Sequence, residues 1–196
     1  MANISSIHSV GNSLITFLRN TYPQTLRDAH PCDFRVLSSG ELADETDFGT
    51  TLSLYLYRVI INEHLRNRPL SHLSNESRPP LSVDLHFMLS IWTDSAVAEH
   101  TICAWVMQQL HHHPIMDRSS LSSDGGWGAD DVVHILPSEL SNEDLMRIWD
   151  TVAPNYRLSV SYIARVIRID PEDMSVGQPV VATRYQYAQN GSHSGG

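Results

Sequence analysis

His111-His112-His113 is the first cluster in the chain that could do chemistry, as metal ligands or as acid–base groups. Consecutive residues on a helix point about 100° apart, so three in a row do not converge on one metal without partners elsewhere. Their place at the end of a helix-periodic stretch suits the negative end of its dipole, which is sufficient reason for histidines there. Asp130-Asp131 with His134 could be drawn as acid and base. In an extended stretch the two aspartates point to opposite faces, so a shared-proton pair is not expected and solvated loop acids are. Cys103 falls mid-helix beside an apolar stripe, the place of a small core residue. No serine stands in Gly-x-Ser-x-Gly. Gly125, Gly126 and Gly128 lack the preceding strand, following helix and lysine of a phosphate loop. These residues carry no enzyme signature, no metal set and no cofactor motif. The expectation is a non-catalytic protein that requires no metal and no cofactor.

The elements that hold these residues are organised around residues 51–69. Leu52, Leu54 and Leu56 recur at period two and share one face of a strand, while Tyr55, Tyr57, Val59 and Ile61 line the other. Branched and aromatic side chains suit a pleated surface, and two apolar faces predict a strand covered on both sides. Such a strand is either central in a sheet or covered on one face by another subunit. Asn62 ends it, and Arg66-Asn67-Arg68-Pro69 opens a polar loop that runs to Pro79-Pro80.

Around this strand the spacing predicts a helix carrying Ile7, Val10, Leu14 and Leu18, capped by Ser5 or Ser6 and stopped at Tyr22-Pro23. Residues 33–37 read as a short strand, and residues 38–50, rich in acids, as a solvated loop. Val83, Leu85, Phe87, Leu89 and Ile91 alternate with Asp84, His86, Met88 and Ser90, which predicts one buried face and one more polar face. Residues 95–112 return to helical spacing. Residues 121–129 read as a flexible loop with Trp127 in it, and residues 132–136 as a short strand. Ser141 and Asp144 resemble a capping box before a helix with Leu145, Ile148, Trp149 and Val152, ended by Pro154. Residues 158–170 form a second long strand, with Val160, Tyr162, Ala164 and Val166 on one face and Ile163, Ile167 and Ile169, alongside Arg165, on the other. Residues 180–187 predict an edge strand. The expected class is α+β: one mixed, mainly antiparallel sheet with flanking helices, in one domain at residues 1–187, before a polar, disordered tail at 188–196.

Composition narrows the partners. The 196 residues are 41% hydrophobic, enough for a core. The net charge is −9, and no basic stripe interleaves with aromatics, so nucleic-acid binding is disfavoured. Cys32 and Cys103, far apart, make no disulfide framework and are expected to be reduced in a cytosolic product. The first residues show no basic then apolar leader, and no run reaches the ~18 apolar residues of a membrane span.

The wording of several segments resembles the tail-terminator, or cap, proteins of contractile injection systems, phage-tail-like particles of the antifeeding-prophage and virulence-cassette type. The likeness rests on Leu52-Ser-Leu-Tyr-Leu-Tyr-Arg-Val59, then Asn62 and Leu65-Arg-Asn-Arg-Pro69. It continues in Pro80-Leu-Ser-Val-Asp-Leu85, Val106-Met-Gln-Gln-Leu110 and His113-Pro-Ile115. It ends in Leu145 to Trp149, Pro154-Asn-Tyr-Arg-Leu-Ser-Val-Ser-Tyr162 and Val166 to Asp170. The resemblance implies a phage tail-terminator-like sheet with flanking helices, assembled as a homo-hexameric ring on the terminal inner-tube and sheath subunits. It implies cytoplasmic assembly, then a place in the particle, with membrane contact at most indirect. An adaptor to a membrane or collar component, or an unrelated small-molecule-binding α+β domain, stays open beside it.

Interfaces concentrate their energy in aromatics and arginines. On that ground Arg66, Asn67 and Arg68, basic in an acidic chain, and Trp127, between two glycines, are candidate docking residues. The alternative for Trp127 is that it folds back onto the core. Tyr55 and Tyr57 are candidate subunit-interface residues, with helices covering one side of the sheet and a neighbouring subunit the other.

Overall fold

The computed structural model describes residues 2–43, 47–62, 80–152 and 155–171. In chain order it contains α1 (Ser6–Thr21), α2 (Gln24–Ala29), β1 (Asp33–Leu37), α3 (Ser39–Ala43), β2 (Thr51–Ile61) and β3 (Leu81–Trp92). There follow α4 (Ala96–His112), β4 (Ile115–Met116), a 3-10 turn at Ser123–Gly125, β5 (Val133–Pro137), α5 (Asn142–Asp150) and β6 (Ser159–Ile169). The strands make one sheet in the order β1-β2-β3-β6-β5-β4. β1 runs parallel to β2, and every other neighbouring pair is antiparallel. The sheet is mixed and mainly antiparallel with flanking helices, the class the sequence predicts. The regularity of the apolar spacing has a direct cause here: the two longest alternating stretches lie side by side at the centre, where both faces must be filled.

One face carries the larger core. Leu52, Leu54, Leu85, Phe87, Leu89 and Ile91 of β2 and β3 are buried beneath Val10, Leu14 and Leu18 of α1 and Ile102, Val106 and Leu110 of α4. Each such side chain contributes about 1.5–3 kcal/mol on burial. The i, i+4 spacing of Val10, Leu14 and Leu18 is what turns α1 onto the sheet. Ser95 caps α4, its hydroxyl accepting from the Ala98 N–H at 3.4 Å. Ser5 precedes α1 but makes no side-chain cap.

The second face departs from expectation. The alternate residues of β3 are buried too: Asp84, Met88, Ser90 and Trp92. Met88 and Trp92 pack with Leu37, Leu42 and Trp149, so α3 and α5 cover part of this face from within the same chain. The polar positions tolerate burial because they find partners. Trp92 Nε1 donates to Ser53 Oγ at 2.8 Å, Ser53 Oγ donates to the Ser90 carbonyl at 3.3 Å, and the Ser90 and Ser159 hydroxyls lie 2.8 Å apart. A neighbouring subunit is therefore not what covers Met88 and Trp92.

Residues 38–50 are likewise not simply a solvated loop. Ser38-Ser39-Gly40-Glu41 is a capping box: Glu41 Oε2 accepts from the Ser38 N–H at 2.7 Å, and Ser38 Oγ accepts from the Glu41 N–H at 3.3 Å. It starts α3 and drives Leu42 into the second core. The Ser141–Asp144 box forms as the sequence predicts, with Ser141 Oγ accepting from the Asp144 N–H at 3.0 Å. The candidate edge strand at 180–187, the tail at 188–196 and the stop at Pro154 lie outside the described residues.

Two bulges re-aim the strands. In β2 the register shifts between Leu56 and Arg58, so Tyr57 is the extra residue. One inserted residue exchanges the faces of everything after it. Val59 and Ile61 thus pair with Leu85 and Val83 and join the leucine face, not the tyrosine face. In β6 the residues Arg165 and Val166 oppose Asp84, and Ile167 then pairs with Val83. Ile167 and Ile169 consequently sit with Tyr162 and Ala164 on the larger core, where strict alternation would have put Val166.

Candidate docking surface

Trp127 is placed by the loop geometry. Gly126 adopts φ 65°, a left-handed turn open to glycine, and reverses the chain after the 3-10 turn. The indole then lies against α1, 8% exposed, its Nε1 donating to Ser9 Oγ at 2.9 Å. A Cβ on Gly125 would overlap that indole and approach Ser9 Oγ to 2.8 Å, so glycine is required there for close packing. The ring is core, not a presented anchor, which corrects its place among the docking candidates. Its apolar area outweighs the mobility that flanking glycines allow.

Tyr55 and Tyr57 lie half-buried on the second face against the smaller core. The Tyr57 hydroxyl lies 3.0 Å from Ser161 Oγ, and its ring meets His86 edge-on at 5.9 Å. Much of both side chains is thus already engaged within the chain. Arg66, Asn67 and Arg68 lie outside the described residues. His111 and His112 end α4, and His113 meets Phe17 edge-on at 5.3 Å. The three histidines do not converge, and no group of three or more metal-ligating residues is found among the described residues. No described helix is long and apolar enough to cross a membrane.

The surface that stands out lies where β2, β3 and β6 run on past their neighbours. Asp84 is 5% exposed there. Its carboxylate accepts from Arg165 Nε at 3.2 Å and from Asn62 Nδ2 at 3.2 Å. Arg58, paired in register with His86, and Arg168, paired with Ser82, share this face. Beside them a cleft of about 410 Å³ opens between the sheet and α5, lined in part by Tyr57, Arg58, His86, Glu139, Arg147 and Ile148. The His86 imidazole is held below its ordinary pKa, by burial first and the nearby Arg58 charge second. Its Nε2 has no hydrogen-bond partner among the described residues. On the opposite face of the same tip, Val59, Ile61 and Leu81 are exposed. Neither Val59, Ile61 nor Arg58 stood out as a site in the sequence. The signal available was Arg58 itself, a cation inside an otherwise apolar strand. This arrangement offers backbone, apolar surface and positive charge together, which serves binding better than bond-making.

Solved structures that share this fold include two from contractile particles. The chain is similar to the sheath/tube terminator, in the extended state, of PVC, an extracellular contractile injection system, with TM-score 0.54 and 19% identity over 98% of this chain and 66% of that one. It is similar to the tube-terminating cap of the anti-feeding prophage (AFP), with TM-score 0.56 and 15% identity over 91% of this chain and 60% of that one. The chain thus spans 66% and 60% of the lengths of these two. At these identities the likeness is one of fold. No curated protein matches the sequence. The family described as Pvc16 N-terminal domain matches residues 9–183. With nearly all of its length inside that match, the chain belongs to the Pvc16 N-terminal domain family.

Proposed function

We propose that this chain is a terminating cap of a contractile injection particle, forming a hexameric ring on the last layer of inner tube and sheath and ending their growth. The observation that carries this reading is the family match over residues 9–183, joined to a fold shared with a sheath/tube terminator and a tube-terminating cap. An extracellular particle of that kind is the setting it implies, with membrane contact at most indirect. The role is one of assembly, without catalytic turnover.

A cap must bind a layer end that would otherwise accept another identical layer. The arginines fit such a contact. Arg58 and Arg168 stand on the described tip, and Arg66, Asn67 and Arg68 follow β2 in the sequence, in a protein of net charge −9. The test is assembly without the chain. Particles made in its absence should show tubes of uncontrolled length and sheaths that fall off, and adding the purified chain should restore a uniform length. Normal particles in its absence would contradict the reading.

A further inference from the structure

The outer edge of β2 has no strand beside it past Tyr55 among the described residues. β1 pairs with Thr51 through Tyr55 and then gives way to α3. β2 runs on to Ile61, held on its other side by β3. The Asn62 N–H donates to the Ser82 carbonyl at 2.9 Å. In an antiparallel ladder the residues of that parity, Ile60 and Arg58, turn their backbone groups to β3, and Val59 and Ile61 turn theirs outward. The same two residues expose their side chains, by 46% and 52%. An outward N–H and C=O row flanked by exposed branched side chains is a template for strand addition.

We propose that this edge of β2 accepts an extended segment of another protein, added as a strand that carries carboxylates at alternate positions. The backbone row supplies the ladder. Val59 and Ile61 then gain apolar neighbours on one face. On the other face the added strand's alternate side chains stand beside Arg58, which has no ion pair among the described residues; the cleft lies on the β3 side of Arg58, and its Arg147 is already paired with Glu143 at 2.6 Å. Glu139 and Asp144 also line that cleft, and Asp144 already accepts from the Ser141 hydroxyl at 2.7 Å. Arg165 is occupied by Asp84, whereas Arg58 and Arg168 have no ion pair among the described residues. Pairing with a second copy meets repulsion. A second copy would offer Arg168 on the free stretch of β6 beyond Arg165, or Arg58 on another β2 edge, adding like charge to this face and no carboxylates. A foreign acidic strand avoids both. The proposal rests on the cap reading in that the strand would come from a tube or sheath subunit, but its test uses no particle, so the two fail separately.

The probe is a fluorescent peptide alternating glutamate and valine, titrated with the full chain and followed by anisotropy. Saturable binding is expected. A lysine–valine peptide should bind at least roughly tenfold more weakly, as should the glutamate peptide to Arg58→Glu. Ile61→Pro removes an outward N–H and no bond to β3, so it should weaken binding while leaving the thermal midpoint near wild type. A glutamate peptide N-methylated at every residue keeps its charge, loses its donors along both edges, and should not bind the unaltered chain. No saturable binding, equal binding of the N-methylated peptide, or equal binding of the lysine peptide would each overturn the proposal. So would concentration-dependent self-association of the chain that Ile61→Pro abolishes.

Discussion

Trp127 donates its indole N–H to Ser9 Oγ at 2.9 Å, tying a glycine-rich loop to the first helix across 118 residues of sequence. Ser9 Oγ in turn donates to the Ser122 carbonyl at 3.0 Å, so one hydroxyl satisfies both ends of the loop. Trp127→Ser should therefore destabilise by about 3–5 kcal/mol, as core aromatic truncations do. Ser9→Ala, which strands a buried indole N–H, should cost about 1–3 kcal/mol. Gly125→Ala should cost about 1–3 kcal/mol through overpacking. Urea midpoints at constant slope measure all three, and a Trp127→Ser protein as stable as wild type would mean that the ring is not core.

The Asp84–Arg165 pair is lopsided, its carboxylate side chain 7% exposed and its guanidinium side chain 51%. Arg165→Met leaves the carboxylate buried with the Asn62 amide alone. We expect a loss of about 1–3 kcal/mol, less than for a fully buried pair because half of the arginine is already solvated. Asp84→Leu combined with Arg165→Met should recover part of that loss. A double-mutant cycle by chemical denaturation measures the coupling, and additive effects would show that the pair does not interact.

His86 sets a pH dependence of stability. Its folded-state pKa lies below the ordinary value of 6.5, so the native protein resists a proton that the unfolded chain accepts. Stability from this residue is intact above pH 6.5 and falls as pH drops from there toward the lowered native value, below which both states are protonated and the loss levels off. His86→Gln should flatten the slope in that window. Unfolding free energies between pH 5 and 8 would show it, and a variant with the same slope as wild type would assign the effect elsewhere.

Both thiols should be sluggish. Burial, opposed by a hydrogen bond from the Leu52 backbone and aided by Asp33, raises Cys32 to about 11, and burial with Glu99 raises Cys103. Because the thiolate is the reactive form, modification of the native protein at pH 8 should run far slower than that of the urea-unfolded chain. Equal rates in the two states would contradict this.

The fold was legible where one period ran unbroken. Val10, Leu14 and Leu18 at helical spacing and Leu52 and Leu54 at strand spacing land where they are read, on the larger core. What alternation cannot reveal is an inserted residue. Tyr57 and the Arg165–Val166 step look like ordinary strand residues, yet they exchange the faces of Val59, Ile61 and Ile167. The capping box at Ser38–Glu41 was present in the text and masked by the acidity around it. Burial of Ser53, Asp84 and Ser90 was hidden for another reason: whether a polar residue in a strand finds a partner depends on strands remote in sequence. Of the candidate docking residues, Trp127 reads differently in three dimensions, because flanking glycines permit mobility without requiring it.

The most direct measurement of the cap reading is a cryo-EM reconstruction of the end of the particle that carries this chain. The expected result is a closed hexameric ring of copies at one end only, seated on the last layer of tube and sheath, with the tip of β2, β3 and β6 in contact with a subunit of that layer. A single copy at the tube end, copies distributed along its length, or an end without the chain would contradict it.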